Sequence, residues 1–247
     1  EAREVKRAAI LVFSSNSSLC GGFNANVIKK MQKVVDEYIA NGIDVTIYPI
    51  GRKVAEKAQK LGYKIAGNFN QLADKPNATD CIAIGNEFIR QYIDDEVDKI
   101  DMIYHHFKIA VSQILTKKTL APIDIEEAMD YDHYRDLEVS IATEQTMKYL
   151  REHAKEKEYH NETASSLNAN FIVEPDMETV LEMLIPRYVN LMIYTALLDS
   201  NASEHAARMV AMQTATDNAD ELLRQLNLQY NKSRQQAITS ELLDIVG

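Results

Sequence analysis

Residues Met177–Val246, METVLEMLIPRYVNLMIYTALLDSNASEHAARMVAMQTATDNADELLRQLNLQYNKSRQQAITSELLDIV, contain one proline and no glycine. This composition predicts a single helix, which at about 1.5 Å per residue would be roughly 105 Å long. A compact domain formed by a chain of this length would be only roughly 45 Å across, from a radius of gyration near 18 Å. We therefore expect the helix to project from such a domain and to require a partner surface.

An apolar stripe along this helix indicates what kind of partner it needs. Positions at heptad spacing from Tyr188 are apolar or aromatic in ten of thirteen cases, as in the contact seam of a coiled coil. Full burial of each larger side chain is worth roughly 1.5–3 kcal/mol, so the stripe represents more than about 10 kcal/mol before entropy is subtracted. We expect a missing segment of this chain, a second copy or another protein to cover it. The seam consists of Tyr188, Leu191, Thr195, Leu198, Ala202, His205, Met209, Met212, Thr216, Ala219, Leu223, Leu226 and Tyr230.

Two positions could interrupt the helix. Pro186 removes one backbone hydrogen bond and should kink the helix, unless the helix begins only after it. Cap-forming residues within Asp199–Glu204 make a break there a second alternative. We expect an essentially unbroken helix from residue 187 onward.

The first part of the chain predicts an open α/β sheet. Strand-like and helical patterns alternate in the order strand, helix, strand, helix, strand, helix, which is typical of a parallel sheet. Two further strands close together predict a hairpin with an antiparallel edge strand. Strands are expected at 5–14, 43–50, 64–69, 99–110 and 112–120, and helices at 24–39, 51–61 and 78–93. Residues 1–123 should thus form a Rossmann-like domain.

The remaining residues divide into two parts. Residues 124–173 are predicted to be an acidic and charged insertion and connector. Within them, 124–162 are predicted to be a strand or loop followed by a solvated helix, and a short extended piece is predicted at 171–176. Residues 174–247 contain the long helix, for which Pro175 and Asp176 form a plausible start. The chain begins without Met and with strand-forming residues close to Glu1, so we expect that it is cut from a longer protein.

Composition excludes several classes of protein. The formal charge is −10 and basic residues are not clustered, which argues against nucleic-acid binding. No apolar run approaches eighteen residues, so we do not expect a membrane span. The two cysteines, Cys20 and Cys81, form no C-x-x-C motif. They favour a reducing compartment over a disulfide framework.

The loop after the first strand, SNSSLCGG at Ser15–Gly22, has two interpretations. Backbone N–H groups at the start of the next helix could hold a phosphate. The loop lacks both G-x-G-x-x-G and G-K-[ST], however, so a tight structural turn is favoured. Cys20 could be an activated nucleophile, but no matching His and Asp or Asn set is apparent, and a structural thiol is favoured.

The histidines do not predict a metal site. His105 and His106 are adjacent on a strand and should point to opposite faces of the sheet. His133, His153 and His160 lack the spacing of metal ligands. We predict no bound metal and no cofactor.

Two polar features of the long helix leave alternatives open. Arg208 follows Glu204 by four residues and could pair with it within the helix, or it could present its guanidinium to a carboxylate on a partner. The polar stretch Asn231–Glu241 is either a solvated helix end or a tip that another protein surrounds.

Three stretches resemble the gamma subunits of F-type rotary ATP synthases. Residues 14–24, SSNSSLCGGFN, are similar to the first strand and S-D-R-G-L-C-G-G-F-N loop of that family. Residues 174–199 resemble the opening of its C-terminal helix, and residues 202–247 match its signature region almost throughout. Two departures are the absence of the family's N-terminal helix and the length of the 124–168 segment.

The resemblance implies a central-stalk rotor subunit that couples proton flow through the membrane c-ring to the conformational cycle of the catalytic beta subunits. It implies partners in the alpha, beta and epsilon subunits and the c-ring, and a peripheral place on the cytoplasmic face of a bacterial inner membrane or the equivalent organelle membrane. It implies no catalytic residue and no cofactor in this chain. The positions carried over from the family are Arg208, Gln235, Thr239 and Glu241 for contact with beta, and Phe171 and Glu174 for the foot that faces the ring.

Two other functions compete with this interpretation. A Rossmann-like enzyme with a helical oligomerisation arm would bind a nucleotide, and a homodimeric coiled-coil scaffold would dimerise even with an N-terminal helix restored. Without a partner helix, we expect the uncovered seam of this chain to drive self-association or disorder of the helix.

Overall fold

A five-stranded sheet organises the N-terminal part of the chain in the computed structural model, which describes residues 3–67, 69–110, 112–123, 174 and 176–247. The spatial order is β3-β2-β1-β4-β5. β1 pairs in parallel with β2 and β4, and β5 is antiparallel to β4, so the predicted open sheet with an antiparallel edge strand is confirmed. The strands are β1 (Arg7–Phe13), β2 (Asp44–Ile50), β3 (Lys64–Ile65), β4 (Lys99–Ile109) and β5 (Ser112–Ala121).

Helices cover both faces of the sheet, which is why β1 is buried from Ala8 to Phe13. On one face, Ile10 and Val12 pack with Val27 and Met31 of the first helix. On the other face, the core contains side chains from the sheet, the fourth helix and the long helix. The described helices are α1 (Phe23–Ala40), α2 (Arg52–Lys60), α3 (Asn70–Asp74), α4 (Ala78–Ile93) and α5 (Met177–Val246).

The third strand is shorter than predicted. A strand was expected over 64–69, but β3 pairs with β2 only at Lys64 and Ile65. Gly67 has a φ of +74°, which turns the chain out of the extended conformation. Phe69 then precedes α3, a short helix that the sequence did not predict, and packs against the core.

The long helix is continuous, as predicted, over seventy residues. Asp176 caps it by accepting a hydrogen bond from the Thr179 backbone N–H at 2.8 Å. Pro186 therefore lies inside α5, and the alternative start after it is wrong; a kink there stays a prediction. The alternative break at 199–204 is also wrong, because these polar residues serve in packing: Ser203 is buried and its hydroxyl donates to the His105 carbonyl.

The middle of α5 belongs to the core of the α/β part of the structure. Val189, Met192, Ile193, Ala196 and Leu197 are buried against the sheet and α4. Every residue from 212 to 246 is exposed. The expected projection therefore applies to the C-terminal half of the helix, whereas its middle is part of the domain.

The predicted seam lies on the side of α5 that faces away from the sheet. Tyr188 is half-buried, and the other twelve seam positions, from Leu191 to Tyr230, are all exposed. The helix thus carries two apolar stripes, one used by the sheet and one uncovered among the described residues.

One window of α5 reaches a mean hydropathy of 1.2 and passes as a membrane span by length and composition alone. A single such helix is a weak indication, because core helices of soluble proteins pass the same test. Only 28% of this window is buried: Val189, Met192, Ile193, Ala196 and Leu197 pack in the core, whereas Leu191 and Thr195 between them are exposed.

The two adjacent histidines point to opposite faces, as alternation along β4 predicts. His105 stacks on Phe23 of α1 with ring centroids 4.3 Å apart. His106 places Nδ1 2.6 Å from Asp199 Oδ2 of α5. Within the part of the chain that the structure describes, no three His, Cys, Asp or Glu side chains come together as a metal site.

His105 predicts a pH dependence of stability. Burial lowers its pKa from 6.5 to about 4, so between these values the unfolded chain binds a proton that the folded chain does not. The free energy of unfolding should fall by about 2–3 kcal/mol between pH 7 and pH 4.5. Urea unfolding across this range, with His105→Phe, should show a flatter profile for the variant. His205→Ala, at an exposed histidine, should leave the parent slope intact; equal slopes for the parent and His105→Phe would contradict the prediction.

Candidate functional site at the root of the long helix

The loop that follows β1 is held in place by its own side chains. Asn24 Nδ2 donates to Ser15 Oγ at 2.8 Å and to Cys20 Sγ at 3.1 Å, and the Ser15 backbone N–H donates to Asn24 Oδ1 at 3.0 Å. Leu19 and Gly21 have φ values of 68° and 56°, which turn the chain tightly before α1. The loop is thus an ordered turn with a buried thiol inside it.

Helix α5 covers this turn. A Cβ built on Gly21 would lie 3.9 Å from both the Ala207 carbonyl oxygen and Ala211 Cβ. In doubly wound folds that bind dinucleotides, the corresponding glycines leave space for a pyrophosphate. Here α5 occupies that side of the loop, which supports the tight turn over the phosphate cradle.

A cavity of about 210 Å³ remains between the loop, α3 and α5. Typical small-molecule pockets measure about 300–1,000 Å³, so this cavity is small for a nucleotide. Two polar side chains that line it already have hydrogen-bond partners within the protein. Asn201 Nδ2 donates to the Ala73 carbonyl at 2.9 Å, and Asp74 accepts from Asn16 at 2.7 Å. The geometry of this cavity, beside the loop that resembles a phosphate cradle, gives no support to the nucleotide-binding alternative.

Arg208 joins α5 to the loop. Its Nη1 donates to the Ser18 carbonyl at 3.0 Å, and its Nη2 donates to Ser17 Oγ at 2.6 Å. Nη2 also pairs with Glu204, whose carboxylate is buried. The predicted pairing within the helix is confirmed, whereas a contact with a partner protein stays a prediction.

Sequence reasoning did not find the loop partners of Arg208. Nothing in the spacing of Ser17 and Ser18 links them to a residue some 190 positions later. The packing face of α5 did carry a signal, because Val189, Met192, Ile193 and Ala196 follow the three- and four-residue spacing of a buried helix face.

The other predicted beta-contact residues lie far from Arg208. Gln235, Thr239 and Glu241 are exposed on the projecting half of α5, and Thr239 Oγ1 donates to the Gln235 carbonyl at 2.8 Å. Gln235 is roughly 40 Å and seven and a half turns beyond Arg208, so the two leave opposite sides of an ideal helix. The structure does not bring these residues together into one patch.

The predicted ring-facing residues are only partly within the structure. Glu174 is exposed and lies two residues before the Asp176 cap. Phe171 and the predicted connector at 124–173 lie outside the described residues.

Comparison with known structures supports the fold. The central stalk and c-ring structure of the Tetrahymena thermophila mitochondrial ATP synthase contains a chain with a TM-score of 0.55 and 21% identity, over 87% of this chain and 79% of that one. A chain in the Euglena gracilis mitochondrial ATP synthase rotor gives 0.56 and 18%, over 95% and 75%. At these identities the likeness concerns the fold alone.

Comparison of sequences is more specific. All 247 residues match the family model described as ATP synthase. The ATP synthase gamma chain of Phocaeicola vulgatus is 44% identical over 99% of this chain and 74% of its own length. That of Gloeothece citriformis is 34% identical over 99% and 76%. The chain, about three quarters as long as these relatives, belongs to the ATP synthase gamma chain family.

Proposed function

We propose that the chain is the rotor of the central stalk, with α5 as one strand of a coiled-coil shaft. The observation that carries the proposal is the exposed seam from Leu191 to Tyr230 on a helix that projects beyond its domain. Such a seam needs a second helix along its length. As a gamma chain, the protein is part of the ATP synthase, a membrane-associated complex.

In this proposal the α/β domain is the foot of the rotor. It rests with the epsilon subunit on the membrane c-ring, on the cytoplasmic face of a bacterial inner membrane or the equivalent organelle membrane. Proton flow turns the ring and the foot together. The shaft stands inside the ring of alpha and beta subunits, and no bond chemistry takes place in this chain.

Rotation would act on the catalytic subunits through binding free energy. An asymmetric shaft contacts each beta conformation differently, so its orientation shifts the populations of their conformations and their nucleotide affinities. Arg208, Gln235, Thr239 and Glu241 are the proposed contacts with the acidic loop of beta. These residues differ in their position along α5 and in the side of the helix that they occupy. They would therefore contact more than one part of the assembly of alpha and beta subunits.

The connection between foot and shaft suits the transmission of torque. Val189, Ile193 and Leu197 are buried in the core that the sheet and α4 share with α5. A helix built into a packed core turns with its domain, whereas a flexible linker would absorb the twist. Phe171 and Glu174, which precede α5 in the sequence, are proposed to face the c-ring.

Two substitutions test the proposed beta contacts in the complex reconstituted with complete partner subunits. Arg208→Ala should lower proton-driven ATP synthesis about tenfold, because a hydrogen bond to a charged group is worth about 1.5–3 kcal/mol. Gln235→Ala should lower it less, since its amide is neutral. Arg224→Ala and Gln225→Ala are matched controls on the same exposed helix, where both side chains contact Glu221, and should change little.

Unchanged coupling in both Arg208→Ala and Gln235→Ala would refute the assignment of these contacts. The enzyme alternative has a separate test, since it requires nucleotide binding by the isolated chain. Calorimetry that detects a micromolar site for ATP or NAD would favour that alternative over the rotor.

A further inference from the structure

We propose that Arg208 is a positioning residue that fixes the angle at which α5 leaves the α/β domain, acting through Ser17, Ser18 and Glu204. The importance of this angle rests on the proposed rotor function, but the anchoring itself is a property of this chain alone.

Arg208 lies where α5 leaves the α/β domain. Ala206 is the last buried residue of the helix, Ala207, Arg208 and Ala211 are half-buried, and every residue from 212 onward is exposed. Arg208 therefore lies in the last turn that touches the domain. A contact made here limits tilting of the projecting helix more than one made deeper in the core.

The loop that follows β1 holds the Arg208 guanidinium at two points. Two of its nitrogens reach the loop, one at the Ser18 carbonyl and one at Ser17 Oγ. Two contacts from one planar group restrain direction as well as distance. The loop can oppose a load because Asn24 ties it together through Ser15 and Cys20.

The buried carboxylate of Glu204 holds the Arg208 guanidinium from the helix side. Glu204 is one turn below Arg208 and only 8% exposed. A buried carboxylate requires a charged partner, so Glu204 holds the guanidinium against the helix while its other side bonds the loop. His205 Nδ1, 3.6 Å from Glu204 Oε2, belongs to a side chain that is 70% exposed and offers a weaker substitute.

A small increase in tilt where α5 leaves the domain should produce a large displacement of the C-terminal end of the helix. The residues from Met212 to Val246 form about 52 Å of helix at 1.5 Å each. An added tilt of about 10° would move the end of that rod by about 9 Å. The anchor thus acts on a lever, and its effect is measurable far from Arg208.

Pulsed electron–electron double resonance, which measures the distance between two spin labels, tests the anchor directly on the 247-residue chain. Nitroxide labels at Gln59→Cys on α2 and Lys232→Cys on α5 occupy exposed sites, while Cys20 and Cys81 are buried. An excess of unlabelled chain restricts the signal to distances within one molecule. Lys232 lies about 32 Å beyond the last contact turn, so Arg208→Ala should broaden the distance distribution by about 5 Å.

Three further variants separate anchoring from general destabilisation. Arg224→Ala removes another Arg–Glu pair from the projecting half of α5 and should leave the width unchanged. Ser17→Ala keeps the ion pair but removes one loop contact, and should broaden the distribution partly even if Arg208→Ala folds poorly. Arg208→Lys keeps the charge but loses the planar guanidinium that makes two contacts. Its distance distribution should therefore be wider than that of the parent and narrower than that of Arg208→Ala.

A parent-like width in both Arg208→Ala and Ser17→Ala would overturn the proposal, and so would equal broadening in Arg224→Ala. Because the measurement involves no ATP synthesis, its result is independent of the proposed rotor function. Broadening in Arg208→Ala without any loss of coupling in the complex would support the anchor and count against the beta contact at this residue.

Discussion

Gly51→Ala should lower the free energy of unfolding by about 3 kcal/mol or more, because both the backbone angle and the space at this position exclude a side chain. Gly51 has a φ of +101° where β2 passes into α2. A Cβ there would lie 2.2 Å from the Ser14 carbonyl oxygen and 2.6 Å from its carbon. These are backbone atoms at the start of the loop that contacts Arg208, so relief of the clash would disturb the loop as well.

Gly42→Ala is the matched control for this prediction. Gly42 also has a positive φ, +74°, but a Cβ there meets no atom within 4 Å. Its substitution should cost only the conformational strain, about 1–2 kcal/mol. Urea unfolding of both variants at neutral pH separates the clash from the strain. If the two variants lose the same stability, the close approach to Ser14 has no energetic importance.

The strands and helices of the sheet domain were predictable because burial imposes a simple pattern on them. β1 is covered on both faces, so its sequence is almost continuously apolar over Ala8–Phe13. The helices each carry one apolar side, as Val27, Met31 and Val34 show in α1. β3 was predicted too long because its end depends on the turn at Gly67, and not on a change of hydrophobicity.

The site was less predictable than the fold. The Glu204–Arg208 pair follows from four-residue spacing along a helix. The contacts of Arg208 with Ser17 and Ser18 depend on how the whole sheet places the first loop beside α5, and no local pattern carries that information. The proposed beta contacts Gln235, Thr239 and Glu241 were predicted from resemblance to a family and not from their own chemistry, since exposed polar positions on a helix have no distinguishing pattern.

The two apolar stripes of α5 explain why heptad spacing predicted a projecting helix with a partner, but not the packing of its middle against the sheet. The seam positions Leu191, Leu198 and Met209 are exposed, while Ile193, Ala196 and Leu197 fill the core. Heptad spacing detected the first stripe, and the second interleaves with it over the same turns. A single helix that is apolar on two sides is suited to join a domain on one side and a second helix on the other.

Asn218→Pro should uncouple proton flow from ATP synthesis in the reconstituted complex. Asn218 is exposed on the projecting half of α5 and is not a seam position. A proline in a helix interior removes a backbone hydrogen bond and clashes with the preceding turn, at a cost of about 3 kcal/mol or more. Helix α5 would bend at residue 218, beyond its last contact with the α/β domain. The rate of proton-driven ATP synthesis should therefore fall about tenfold or more.

Asn218→Ala is the control that separates stiffness from side-chain contact. Alanine removes the same amide group but favours the helix, so it should leave coupling near the parent level. The comparison is made in vesicles with an imposed proton gradient, with assembly checked by the amount of gamma chain retained in the complex. Parent-like synthesis by assembled Asn218→Pro would show that torque does not pass through an unbroken α5. In that case the exposed seam would serve association with the head, and the rotor proposal would have to rest on the foot alone.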